Sequence, residues 1–276
     1  MMEHRDRSTG WKHATLSGHK NEDIVKINLD KNKDFQADFL KKINRSDASI
    51  IRTSIGGLHE TNVPSVNGRK TKSKTDLKVY LDTDEVINVS IKKSLGGQVF
   101  IDTFEKQFNT EIPADVQRAI NLFWAASDDA VDIIEHYGDR TIQKDYDLQL
   151  RHKSLNATTL KSFDEHLYFV LLEWFTENAY ELAKLSFSMG AVRDSDEWSD
   201  FVWYINLLGE NDTNDIFFIE DICNAVQDVA ISETYYGSSY GGTTIQLPFG
   251  FVQWHQGQLQ FHHNYCFVDY PMYHYL

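Results

Sequence analysis

An α/β (α+β) protein is predicted by three features of the sequence: alternating β-branched runs near its front, helical periodicity through its middle, and an uncharged, aromatic and glycine-rich end. We expect a mixed β-sheet flanked by helices, then a helical region and a C-terminal β-ribbon. With 276 residues and 41% hydrophobic content, the chain can bury one large core or two modest ones. No run approaches the roughly 18 apolar residues of a membrane span, and the opening MMEHRDRSTGWKH is polar and charged, without a secretory apolar core. A cytoplasmic protein with no membrane partner is therefore expected. Cys223 and Cys266 are its only cysteines, too few for a disulfide framework or a thiolate zinc site, so any metal should be held by oxygen.

The elements follow in order. Between Lys20 and Ile43, apolar Ile24, Ile27, Phe35, Phe39, Leu40 and Ile43 recur at helical spacing, interrupted at NKD around Asn32. SIIRTSIGG and KVYLDTDEVINVSIKKS read as three strands, the last two (Leu77 to Leu81, Val86 to Ile91) forming a hairpin over DTDE. From about Asp102 to Val229 the pattern turns helical, in PADVQRAINLFWAASDDAVDIIEHY, SFDEHLYFVLLEWFTENAYELAKLSF and SDEWSDFVWYINLL. Pro113 suits a first helical turn, and Ser162 with Glu165 has the form of a capping box. After Ser232 the chain is almost uncharged and alternates in FVQWH and QLQFHH, as a β-ribbon does.

The net charge of −14 at first disfavours a polyanionic partner, but the charge is unevenly spread. Residues 1 to 100 hold 18 Lys+Arg against 13 Asp+Glu, and the remainder 9 against 28. RKTKSKTDLK, following Gly68, is dense in basic residues. Arg69, Lys70, Lys72 and Lys74 read either as phosphate contacts or as a solvated loop.

The hairpin carries the chemistry. Side chains alternate along its second strand, so Ser90 and Lys92 share a face, and Asp76 stands at the mouth of the strand before it. A carboxylate there can bind Mg²⁺, with the Ile91 carbonyl as a further oxygen ligand and Mn²⁺ as a substitute. Lys92 can orient, and help deprotonate, an attacking water while the metal offsets charge developing on a phosphate.

Thr75-Asp76, followed on the next strand by Ser90-Ile91-Lys92, resembles the motif of the PD-(D/E)xK nucleases, and within them the type II restriction endonucleases. Thr75 stands in place of the proline and Ser90 in place of the second acid. LSGHKNEDIV is similar to the G-x-K-N-E opening of the first helix in several restriction enzymes, which makes Glu22 the candidate for an acid approaching the centre and its metal. The plainer reading of Glu22 is a first-turn residue complementing a helix dipole. The resemblance implies a single restriction-endonuclease-like domain over residues 1–276, with 18–100 as catalytic core, 101–231 as helical region and 232–276 as β-rich tail. It implies Mg²⁺-dependent hydrolysis of double-stranded DNA at specific sequences, with Asp76, Ser90, Lys92 and Glu22 in the catalytic set. It also implies a methyltransferase in the same restriction-modification system, though not as a physical partner.

Site choice needs a reader, because phosphate contacts carry no sequence information. The tail is the candidate, through Gln246, Gln253, Gln258 and Gln260, since glutamine can pair bidentately with adenine. A sheet edge with polar faces accounts for them equally. Palindromic cutting would suit a homodimer, and a monomer nicking in sequence is as compatible. Two alternatives stand beside restriction: a repair or methylation-dependent nuclease of the same fold, and a non-catalytic DNA-binding or protein-interaction module whose site has decayed at Ser90.

Overall fold

The structure is a computed structural model that describes residues 7–56, 62–92, 96–100, 103–124, 155–209, 213–238, 242–255 and 258–264. Its strands are β1 (Ile50–Ile55), β2 (Val63–Pro64), β3 (Lys70–Thr71), β4 (Leu77–Leu81), β5 (Val86–Lys92), β6 (Gly96–Phe100), β7 (Phe201–Ile205), β8 (Asn214–Phe218), β9 (Tyr235–Gly237), β10 (Thr244–Leu247), β11 (Gly250–His255) and β12 (Gln258–Asn264). The helices are α1 (Arg7–Lys31), α2 (Lys33–Lys42), α3 (Phe104–Phe108), α4 (Ala114–Phe123), α5 (Ala157–Phe163), α6 (Glu165–Glu177), α7 (Ala179–Lys184) and α8 (Ile219–Glu233). They assemble into two compact units, Met1–Leu95 with Phe187–Ile219, and Gly96–Ser186 with Glu220–Leu276. Among the described residues, no helix is long and apolar enough to cross a membrane.

The first unit is the mixed sheet that the sequence predicts, in the order β1-β4-β5-β7-β8. All its pairings are antiparallel except that of β5 with β7. The predicted break at Asn32 separates α1 from α2: the Asn32 side-chain carbonyl accepts from the N–H groups of Asp34 (3.1 Å) and Phe35 (3.2 Å), an N-cap. Val25, Leu29, Phe39, Leu40 and Ile43 of this helical segment pack on Leu77, Val79, Leu81, Ile87, Val89 and Ile91 of the hairpin. Each of these apolar side chains contributes about 1.5–3 kcal/mol when fully buried. Trp203 lies at their centre, with ring centroids 5.6 Å from Phe35 and 5.1 Å from Phe39, and its indole N–H donates to Asn214 Oδ1 at 2.9 Å. The hairpin therefore buries one face under α1 and α2 and leaves the face of Asp76, Asn88, Ser90 and Lys92 for other work.

One predicted element changes type. SDEWSDFVWYINLL, read above as helical, is a 3₁₀ turn at Ser195–Glu197 followed by strand β7. All five β7 residues are buried, on both faces of the sheet. A strand buried on both sides has no two-residue alternation, and a short apolar run of this kind reads equally as buried helix.

The second unit has an antiparallel sheet ordered β6-β12-β11-β10-β9. Its apolar face presents Ile245, Val252 and Phe261, all fully buried. Phe175 of α6 meets Phe261 (centroids 6.4 Å apart), and Tyr168 stacks on Tyr236 at 4.4 Å. The predicted C-terminal ribbon is thus part of a five-stranded sheet. The helix α6 begins at Asp164, whose carboxylate accepts from the N–H groups of His166 (3.0 Å) and Leu167 (3.2 Å). Ser162 instead donates its hydroxyl to the Thr158 carbonyl, because α5 runs on to Phe163. Helix α4 starts just after Pro113, and the continuation expected beyond Trp124 lies outside the described residues.

Candidate active site

Asp76 sits one residue ahead of β4 and is held at both backbone groups. Its N–H donates to the Val89 carbonyl (2.9 Å), and its carbonyl accepts from the Gly56 N–H (3.0 Å). Its carboxylate is organised by β5: Oδ2 accepts from the Ile91 N–H at 2.7 Å and from the Ser90 hydroxyl at 3.2 Å. Lys92 donates to Ser90 Oγ at 2.7 Å, and its ammonium lies 3.9 Å from Asp76 Oδ2. The hydroxyl therefore accepts from Lys92 while donating to Asp76. An ionised acid at position 90 could only accept, so Ser90 does not restore a second carboxylate; it links Lys92 to Asp76. Oδ1 of Asp76 accepts none of these bonds and is left for another partner.

Glu22 joins the group from α1. Burial first, and the charge of Asp76 next, push its carboxyl up to about 7, against the opposing pull of Lys92 and Lys72. The residue before it explains how the helix is placed. Asn21 is fully buried; its side-chain N–H₂ donates to the Ile205 carbonyl and its Oδ1 accepts from the Leu207 N–H, both at 2.8 Å. This carboxamide clamps α1 to the end of β7.

A turn from a distant part of the chain supports Asp76 from behind. Thr75, fully buried, donates its hydroxyl to the Glu197 carbonyl at 3.0 Å, and Ser73 Oγ donates to the same carbonyl at 3.2 Å. The Glu197 carboxylate accepts from Lys78 at 2.6 Å, so Lys78 is an ion-paired support and not an exposed cation. The Asn88 side chain donates to the carbonyls of Asp196 (2.9 Å) and Trp198 (2.8 Å). Thr75 thus anchors the strand entry by a hydrogen bond. On the other side Gly56 permits a close approach: an ideal Cβ there would lie 2.1 Å from the Thr75 carbonyl oxygen.

The donor set suits a hard cation. The charge of Asp76 raises the cost of ionising the Glu22 carboxyl, a cost that a divalent ion offsets. The Ile91 N–H already points at Asp76, and in a strand the N–H and C=O of one residue face the same side, so the Ile91 carbonyl opens on the Asp76 edge beyond the end of β4. Among the described residues no group of three or more His, Cys, Asp or Glu side chains forms a metal cluster. Two carboxylates and a carbonyl match an ion such as Mg²⁺, which retains several waters.

The remaining predicted residues are dispersed. Arg69, Lys70 and Lys72 are exposed around the β2–β3 hairpin. Lys74 is half-buried; burial and the Lys92 charge push its ammonium down to about 7, against Asp76. In the second unit Gln246 and Gln253 are half-buried, and Gln253 Nε2 is 2.9 Å from His262 Nε2. Gln260 is fully buried, and neither end of its amide has a hydrogen-bond partner. The side chain of Gln258 lies outside the described ones. Asn21, Gly56 and Glu197 were not apparent as site residues from sequence. Asn21 had one local signal, its position directly before Glu22, whereas Glu197 is more than a hundred residues from Thr75.

No protein-family model matches the chain, and no curated protein matches it. Among solved structures, restriction endonuclease MspI in complex with its cognate DNA is similar at 13% identity, with a TM-score of 0.47 over 91% of this chain and 87% of the other. That likeness is remote, and the chemistry rests on the residues themselves.

Proposed function

We propose that this chain is a Mg²⁺-dependent endonuclease that hydrolyses phosphodiester bonds of double-stranded DNA at specific sequences, as type II restriction enzymes do, with Mn²⁺ able to substitute. The reading is carried by one observation: Asp76, just ahead of β4, and Lys92, on the adjacent strand β5, are joined through Ser90, and Glu22 shares their electrostatic environment. Asp76 Oδ1, Glu22 and the Ile91 carbonyl would hold the cation, which supplies positive charge to the phosphate and acidifies a bound water. Lys92, fixed by Ser90, orients the attacking water. Glu22 gives up its proton near neutrality and so is available as an anion at physiological pH. The exposed cations Arg69, Lys70 and Lys72 meet the phosphate backbone, while Gln246 and Gln253 are the candidates for base contacts.

The test is digestion of a long DNA of known sequence, with and without Mg²⁺, by the parent, Asp76→Ala and Lys92→Ala. Discrete fragments are expected from the parent alone, with each variant slower by on the order of 10³-fold. DNA left intact in both Mg²⁺ and Mn²⁺ by folded parent protein would instead indicate a non-catalytic binding module.

A further inference from the structure

We propose that Arg193 is a further DNA-contacting residue, which joins Arg69, Lys70 and Lys72 on one cationic face that binds the phosphate backbone of a duplex. The inference rests on the nuclease reading and adds a residue and a surface to it. In sequence Arg193 opens RDSDEWSD, within the acidic remainder of the chain, and nothing there sets it beside the basic loop. The fold brings the two together.

The hairpin of β2 and β3 has a third member. Ser65 forms an antiparallel bridge with Val192, while the Val66 N–H donates to the Ala191 carbonyl and the Arg193 N–H to the Pro64 carbonyl, both at 3.0 Å. Residues 191–193 therefore run along β2 on the side away from β3, where Pro64 pairs with Lys70. Residues directly opposite in antiparallel pairing project to the same face, and successive residues to opposite faces. Ser65 and Val192 point inward, at 4% and 1% exposure. Pro64, with Lys70 on one side and Arg193 on the other, then forms an outward row, and all three are exposed.

The charges of this face are not consumed within the protein. Among the described residues no carboxylate lies within ion-pair distance of Arg69, Lys70, Lys72 or Arg193. Of the acids that follow Arg193, the Asp194 carboxylate accepts from the Asp196 N–H at 3.1 Å as the cap of the 3₁₀ turn, and the Glu197 carboxylate pairs with Lys78. Asp196 is the acid left beside four cations. Two strand spacings set the Cα atoms of Lys70 and Arg193 about 10 Å apart. Each DNA strand carries one charge per roughly 3.4 Å of helix axis, so a row of that width meets separate phosphates.

The segment that carries Arg193 also reaches the active centre. The Trp198 indole N–H donates to the Val192 carbonyl at 2.9 Å, and the Glu197 carbonyl accepts from the hydroxyls of Ser73 and Thr75. Residues 191–198 thus brace both the ribbon and the strand entry that carries Asp76. Lys70 precedes Asp76 by six residues, a reach of at most about 22 Å along the chain. One turn of duplex rises about 34 Å, so the row and the carboxylate fall within a single turn of bound DNA.

The experiment measures affinity for a mixed-sequence DNA duplex in Ca²⁺ as a function of salt, for the parent, Arg193→Gln, Arg193→Lys and Lys41→Gln, the last removing an exposed cation of α2. Thermal midpoints confirm that each variant is folded. Arg193→Gln is expected to lower the slope of log affinity against log salt by about 0.9 and to weaken binding roughly three- to tenfold at low salt. Arg193→Lys should keep the parent's slope, and Lys41→Gln should change neither quantity. An Arg193→Gln variant that matches the parent overturns this inference, as does an equal loss in Lys41→Gln, and cleavage by the parent in Mg²⁺ then leaves the nuclease reading intact. A parent that shows the expected dependence on Arg193 but cuts in neither Mg²⁺ nor Mn²⁺ overturns the nuclease reading and leaves the surface standing. A folded parent that does not bind the duplex overturns both.

Discussion

The two five-stranded sheets of this protein are built alike and used differently. Each buries one apolar face, the first beneath α1 and α2, the second beneath an aromatic cluster on α6. On the opposite face of the first stand Asp76, Ser90 and Lys92, every one with an assigned partner. On the opposite face of the second, cross-strand register aligns Thr244, Gln253 and Gln260 in one row and Gln246, Phe251 and His262 in the next. These are neutral groups, and in Thr244 and Gln260 the buried polar atoms lack partners. Charged groups in a partly buried site are costly unless paired, so the first face is surrounded by anchoring turns. The neutral face carries a smaller penalty and needs less scaffolding.

The largest break in this contrast should come from Gly56→Ala. Its Cβ would collide with the Thr75 carbonyl oxygen and force apart the backbone that carries Asp76. A loss of about 1–3 kcal/mol in unfolding stability is expected. DNA cleavage should fall on the order of 10²-fold, because small misplacements of a reacting group are costly. A variant with parent activity would show that the approach of Gly56 does not position the carboxylate.

A titration comes next in size. The Glu22 carboxyl lies at about 7 in the fold against an ordinary value of 4.5, so between these pH values the folded chain holds a proton that the unfolded chain has lost. Metal-free stability should therefore fall as pH rises from about 4.5 to about 7 and level off above, while Mg²⁺ affinity rises across the same window. Glu22→Gln should remove this contribution from both profiles. Chemical denaturation and metal titration across pH would measure it, and profiles identical in parent and variant would remove Glu22 from the centre.

The smallest effect sharpens the contrast from the other sheet. Gln260→Leu replaces a buried amide without partners by an apolar group of similar length, and a gain of roughly 1 kcal/mol in stability is expected. A lower thermal midpoint would mean that the amide is satisfied by an ordered water and that the two polar faces are equally scaffolded.

Much of the site was legible because its signals are local. A DTDE turn between two alternating runs specifies a hairpin, and the two-residue repeat then places Ser90 and Lys92 on one face, where Asp76 meets them. Glu22 was reached through resemblance, since nothing in its own helix turn requires that it approach Asp76. Lys74 shows where local reading ends: composition placed it with Arg69, Lys70 and Lys72, yet those three are exposed and Lys74 is half-buried.

By itself the sequence determined the α/β class, the hairpin with its acid and lysine, the break between α1 and α2, and the β-rich end, all through periodicity and turn chemistry within a few residues. Only the tertiary structure decided that FVWYI is a strand beside β5, that Asn21 is satisfied by Ile205 and Leu207, that Glu197 braces Thr75 and that Gly190 makes room for Lys74. Each of these joins residues more than a hundred positions apart. Such contacts form when hydrophobic burial brings distant segments together, and no local pattern records which carbonyl a buried hydroxyl or amide will then meet.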